Sequence, residues 1–227
     1  MPEQPATLFA RLRDAAAPHW DAYRDHRFVR ALADGTLPEA AFRHYLAQDY
    51  LFLIQFSRAY ALAAFKADTV EDMRAAATVL SALLDVEMDL HVEFCAEWGL
   101  AEDDMAGVPE ATATTAYTRY VLDCGMRGDA LDLMAALAPC VVGYAEIGRA
   151  LDDDPATRRD GNPYSRWIDM YASDDYWRMA RDAVDQLDRL AERLGGAARF
   201  AKLSQIFTQA TRLEVAFWDM GWAAGED

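Results

Sequence analysis

The stretch Leu133-Met-Ala-Ala-Leu-Ala-Pro-Cys-Val-Val-Gly-Tyr-Ala-Glu-Ile-Gly148 constrains this chain most, because it reads as one apolar helix with a proline set directly before a cysteine, Cys140. A proline inside a helix removes one i→i−4 hydrogen bond and presses on the carbonyl of residue i−4, here Ala135, so the spacing predicts a kink beside the thiol. Tyr144 follows one turn after Cys140, with Gly143 beside it, so thiol, phenol and a gap without a side chain share one face. A free cysteine is most often a small buried apolar group. What the other helices bring to the same place decides between that role and a reactive one.

The remaining segments also read as helices. Thr7 to Arg24 carries Leu8, Leu12 and Trp20 at near-helical spacing, interrupted at Pro18, and His26 to Ala33 is a short segment closed by Asp34-Gly35. A long helix starts after Leu37-Pro38, with an apolar stripe of Phe42, Tyr45, Phe52, Phe56, Ala59 and Ala63. Asp68-Thr-Val-Glu71 reads as a capping box for a second long helix that runs to about Trp98 before Gly99. Pro109 opens a helix through Tyr117, Tyr120 and Cys124 to a break at Gly125 to Gly128. The Cys140 helix ends at Asp152-Asp-Asp-Pro155, and a polar loop leads to Pro163-Tyr-Ser-Arg-Trp167-Ile-Asp-Met-Tyr171, where Trp167 and Tyr171 share a face. Ser173-Asp-Asp-Tyr begins another amphipathic helix that stops at Gly195-Gly196, and a last helix covers about Ala197 to Trp222. With no linker-like stretch between these segments, the expectation is one all-α domain over residues 1–227.

The formal charge of −16 argues against nucleic acid and anionic membrane surfaces as partners, since both would be repelled over the whole molecule. Met1-Pro-Glu-Gln-Pro5 lacks the basic and apolar regions of a signal peptide, and the apolar run from Leu133 to Ala145 falls short of the ~20 residues that cross a bilayer. Cys95, Cys124 and Cys140 cannot all pair and have no metal-type spacing, which points to a reducing cytoplasm.

Two carboxylates fall inside apolar stripes. Asp49 sits mid-stripe with no Lys or Arg between Tyr45 and Gln55, and Glu214 completes the stripe of Leu203, Phe207, Ala210, Phe217 and Gly221. A carboxylate facing a core is costly unless a distant partner or a ligand meets it, and a structural ion pair is the ordinary account of one such group. Two carboxylates and a thiol on three helices favour a site. Glu87 and His91 stand at i,i+4, a geometry that can hold a metal, but Asp85, Asp89 and Glu93 beside them make a solvated acidic face the more natural reading.

Tyr45-Leu-Ala-Gln-Asp49-Tyr, Glu87-Met-Asp-Leu-His91, Ala116-Tyr117-Thr, Leu137-Ala-Pro-Cys140-Val-Val-Gly-Tyr144-Ala-Glu-Ile-Gly148, Trp167-Ile-Asp-Met-Tyr171 and Glu214-Val-Ala-Phe217-Trp218 occur in an order that resembles the thiaminase II family, also called TenA or aminopyrimidine aminohydrolase. The resemblance covers nearly the whole chain. It implies a haem-oxygenase-like helical bundle, commonly a homotetramer, without metal or cofactor. It implies hydrolysis at the methylene carbon on a 4-amino-2-methylpyrimidine, from 4-amino-5-aminomethyl-2-methylpyrimidine or thiamin to the hydroxymethyl pyrimidine. By that resemblance Cys140 is the residue that adds to the ring and Glu214 the proton donor. Asp49 reads the amidine edge, Tyr144 and Tyr171 bind the ring, and Tyr117 and Phe217 wall the pocket. The family carries a tyrosine three residues after the aspartate, whose hydroxyl is thought to activate the cysteine; this chain has Phe52 there.

The chemistry asks for such groups in its own right. A pyrimidine must lose aromaticity before a group on its exocyclic methylene leaves, and thiolate addition with a positioned acid divides that barrier. Two other classes remain open: an oxidase or oxygenase on the same bundle, similar to quinone-cofactor biosynthesis oxidases or dinuclear-iron relatives, and a non-hydrolytic pyrimidine-binding regulator, after the old label of transcriptional activator attached to this family.

Overall fold

The computed structural model describes residues 7–226, so the N-terminal pentapeptide searched for a targeting signal lies outside the described residues. Among the described residues there are helices and no strand. The chain divides into two compact units, one formed by residues up to Leu37 with Met134–Val215, the other by Pro38–Leu133 with the residues from Ala216 on.

The first unit contains α1 (Leu8–Ala15), α2 (Ala17–Arg24) and α3 (Arg27–Asp34), then most of α9 (Ala130–Asp153), α10 (Ser165–Ala172), α11 (Asp174–Arg193) and the greater part of α12 (Phe200–Ala223). Thr7 caps α1 by accepting from the Ala10 N–H at 3.1 Å. The interruption expected at Pro18 falls at Ala16, and Pro18 stands in the first turn of α2, where a missing N–H costs nothing. His26 caps α3 through Nδ1, and Gly35 closes it with φ 69°, a conformation glycine adopts freely. Phe9, Trp20 and Phe207 pack ring against ring, with centroids 5.6 to 5.7 Å apart. Glu146 on α9 ties three elements together: it takes Arg13 at 3.1 Å, Arg24 at 3.3 Å and the Trp20 indole N–H at 3.1 Å.

The helix α9 continues through Pro139 without ending. It is long and apolar enough to cross a membrane by length and composition, yet 89% of its apolar window is buried within the protein, as in a core helix.

The second unit contains α4 (Glu39–Lys66), α5 (Val70–Ala82), a π turn (Leu83–Glu87), α6 (Met88–Glu97), α7 (Glu102–Ala106), α8 (Thr112–Arg127) and the ends of α9 and α12. The α4 stripe Phe42, Tyr45, Phe52, Phe56, Ala59 and Ala63 is buried along its whole length. Phe42 meets Phe94 and Trp98 edge-on, and Tyr45 packs on Trp218 at 5.4 Å. The cap of α5 is Thr69, which accepts from the Asp72 N–H at 3.1 Å, one residue beyond the Asp68 to Glu71 box that the sequence suggested. The helix expected to run on to Trp98 is interrupted by the π turn, whose i→i+5 bonding rotates the residues beyond it. The α8 break falls at Gly128; Gly125 lies within the helix, packed where a β-carbon would meet Leu62 at 2.7 Å. Beside Asp49, fully buried Gln48 donates to the Pro109 carbonyl at 3.0 Å and accepts from the Ala111 N–H at 2.9 Å and the Thr114 hydroxyl at 2.6 Å.

Candidate active site

In the first unit, Cys140 is partly exposed, whereas Cys95 and Cys124 are buried; none of the three is in a disulfide. Tyr144, one turn on, contacts Tyr171 with ring centroids 4.8 Å apart and Trp167 at 6.0 Å, and Trp167 meets Tyr171 at 4.6 Å. Tyr176 meets Tyr171 edge-on at 4.9 Å, a contact that the sequence did not suggest. Two glycines make this packing possible. A β-carbon at Gly143 would stand 2.2 Å from Tyr23 Cε1, and one at Gly148 would stand 2.4 Å from the Tyr171 carbonyl carbon. Because Gly148 lacks that atom, the end of α10 can lie against α9 and Tyr171 can reach Tyr144. Glu214, on α12 in the same unit, is 2% exposed. The sequence-derived ring binders Tyr144 and Tyr171 are therefore brought together, Tyr144 on the helix that also carries Cys140 and Tyr171 on α10.

In the second unit, Phe52 packs against Tyr117 at 5.1 Å, Phe217 at 5.8 Å and Phe56 at 5.5 Å. Three of the expected pocket residues thus form one aromatic group, and the side chain at position 52 is all carbon. Asp49 lies one turn before it on α4, and the partner that the sequence lacked locally is supplied by α6: His91 Nδ1 stands 3.7 Å from Asp49 Oδ2. His91 Nε2 lies 3.1 Å from the Leu46 carbonyl oxygen.

Burial pushes the Asp49 carboxyl up to about 7, outweighing a Tyr45 hydrogen bond that lowers it. Burial lowers His91, with the bond to the Leu46 carbonyl opposing. Burial and then the Asp49 charge push Glu87 up to about 7, and the same two causes push the Cys95 thiol up to about 12.

The sequence paired Glu87 with His91 on a solvated face or at a metal. Asp85, Asp89 and Glu93 are indeed exposed, but Glu87 and His91 are half-buried towards Asp49. The reason is the π turn, which no Gly or Pro announces. Among the described residues no group of three or more His, Cys, Asp or Glu side chains is placed to hold a metal ion.

A model of the TENA/THI-4/PQQC family matches residues 13–224. An aminopyrimidine aminohydrolase of Halalkalibacterium halodurans is 38% identical over 213 residues, 94% of this chain and 94% of that protein. A solved structure of a TenA family transcription regulator from a Silicibacter species superposes with a TM-score of 0.89 at 45% identity, over 98% of this chain and 99% of that one. A domain with a haem-oxygenase-like fold from Shewanella denitrificans superposes with a TM-score of 0.74 at 15% identity, over 95% of this chain and 92% of that one, a likeness of fold alone.

Proposed function

Because this chain belongs to the TENA/THI-4/PQQC family, we propose that it is an aminopyrimidine aminohydrolase of thiamin salvage, a single catalytic domain that converts 4-amino-5-aminomethyl-2-methylpyrimidine, or thiamin, to 4-amino-5-hydroxymethyl-2-methylpyrimidine. The observation that carries this reading is Cys140: it is the one cysteine of the three that is not buried, and it stands one turn from a tyrosine that meets Tyr171 and Trp167 at a tilt. A thiol with an inert role would be buried, as Cys95 and Cys124 are.

In this mechanism the Cys140 thiolate adds to a ring carbon and the aromatic sextet is lost. The electron pair then expels the amine from the exocyclic methylene, and Glu214 hands its proton to the departing nitrogen. Water adds to the methylene carbon and returns a proton to Glu214. The C–S bond breaks and the ring regains its aromaticity. Glu214 is 2% exposed. Asp49 reads the amidine edge of the ring, Tyr144 and Tyr171 stack on its faces, and Phe52, Tyr117 and Phe217 supply apolar wall.

Purified protein should release ammonia from the aminomethyl pyrimidine, and Cys140→Ser should abolish it; unchanged turnover in that variant would reject the nucleophile. The regulator reading draws on the name carried by the Silicibacter relative, and a gel-shift at physiological salt decides it. The enzyme would act in the cytoplasm as a homotetramer. Exposed Phe65, Val70, Leu84, Val86 and Leu90 in the second unit supply apolar surface for assembly, which light scattering would weigh.

A further inference from the structure

On the aminohydrolase reading, on which this inference rests, Cys140 adds to the ring as a thiolate, and the phenol expected three residues after Asp49 is replaced by Phe52. The helix α9 offers no cation in its place: between Ala130 and Gly148 it has no Lys, Arg or His. Arg13 and Arg24, which α1 and α2 bring to α9, are both held by Glu146, at 3.1 and 3.3 Å. The ionisable groups that the mechanism gathers around the ring, Asp49, Tyr144, Tyr171 and Glu214, include no cation either.

A different phenol reaches this stretch of α9 from α2. Were Gly143 to carry a β-carbon, its three nearest heavy atoms would all belong to Tyr23: Cε1 at 2.2 Å, Cζ at 2.9 Å and the hydroxyl oxygen at 2.9 Å. The hydroxyl edge of that ring therefore occupies the place of the missing side chain. Cα–Cβ bonds in a helix lean towards its N-terminus, so a side chain at 143 lies over the turn that holds Pro139 and Cys140. Residues 140 and 143 are i,i+3 neighbours, about 5–6 Å apart at Cβ, which puts the Tyr23 hydroxyl beside the Cys140 side chain. The ring is held there: it is fully buried, packs edge-on against Trp20 with centroids 5.7 Å apart, and lies 6.4 Å from the Tyr144 ring. Trp20 is itself tied to Glu146 on α9 through its indole N–H at 3.1 Å. All of these residues belong to the first unit.

We propose that Tyr23 supplies the phenol missing at position 52: it is a positioning residue whose O–H donates to the Cys140 thiolate and holds the sulfur ready to attack. A thiolate is a stronger acceptor than a thiol, so the bond favours the charged form and eases deprotonation. The proton leaves the sulfur for water, which the partial exposure of Cys140 admits, and Tyr23 keeps its own. Gly143 belongs to the device, since any side chain there would evict the phenol.

The test is the rate of iodoacetamide labelling at Cys140 against pH, followed by mass spectrometry in the native protein and in Tyr23→Phe, which removes the hydroxyl and keeps the ring. Loss of a hydrogen bond to a charged group should move the midpoint up by about 1–2 pH units and slow labelling below both midpoints about tenfold or more. Identical midpoints would overturn the proposal, and so would a changed plateau with an unmoved midpoint, the mark of altered access. Should the variant misfold, the native protein decides: a midpoint at or above about 8.5, that of an ordinary cysteine, overturns the proposal, and one below it supports it. Labelling needs no substrate. A native protein that releases no ammonia from the aminomethyl pyrimidine would strike the aminohydrolase reading instead, so the two failures are read separately.

Discussion

Gly148 and Tyr171 lie so close that a β-carbon on the glycine would stand 2.4 Å from the tyrosine's carbonyl carbon. The obstacle is backbone, which cannot swing aside as a side chain can. Gly148→Ala must therefore push the end of α10 away, at a cost of about 1–3 kcal/mol for overpacking, which alanine's better helix propensity offsets by only about 1 kcal/mol. Thermal denaturation should show a lowered Tm, and because Tyr171 moves with α10, KM should rise more than kcat falls.

Gln48 anchors the register of α4 beside Asp49 through three hydrogen bonds to the entry and first turn of α8. Gln48→Ala leaves the Pro109 carbonyl, the Ala111 N–H and the Thr114 hydroxyl to find other partners, and each buried polar group left unmet costs about 1–3 kcal/mol. Urea titration should show a lower midpoint with an unchanged slope, and Gln48→Glu should not restore it, since a carboxylate cannot donate to the Pro109 carbonyl.

The three thiols should react in a fixed order. Burial raises Cys95 to about 12 and also raises Cys124, and both are buried, whereas Cys140 is partly open. Iodoacetamide on the native protein should add a single label, found on Cys140 by mass spectrometry, and saturating hydroxymethyl pyrimidine should slow that labelling.

The Asp49 and Glu87 carboxyls, each pushed up to about 7, bind protons in the folded chain that they release in the unfolded one. Stability from this source is fully present below the ordinary carboxylate range and is lost as pH rises from about 4 through about 7. Asp49→Asn and Glu87→Gln should each flatten that decline, read as the denaturation midpoint against pH. A parallel profile in both variants would place the proton elsewhere.

Much of this protein is settled by local chemistry that a sequence displays. Helix ends follow from Thr7, His26, Ser173 and Gly35, because caps and left-handed glycines act within a few residues. The buried stripe of α4 and the turn shared by Cys140 and Tyr144 follow from helical periodicity, and the ordered set of motifs carried the family. Three things came only from the folded chain. The π turn at Leu83–Glu87 has no residue that marks it, since its bonding is decided by what the helix packs against. That turn brings His91 and Glu87 to Asp49, a partnership across more than 30 intervening residues that no local rule could reveal. The solvent access that separates Cys140 from its two buried counterparts was likewise decided by packing, because exposure belongs to the neighbours that tertiary structure assembles and not to the residue itself.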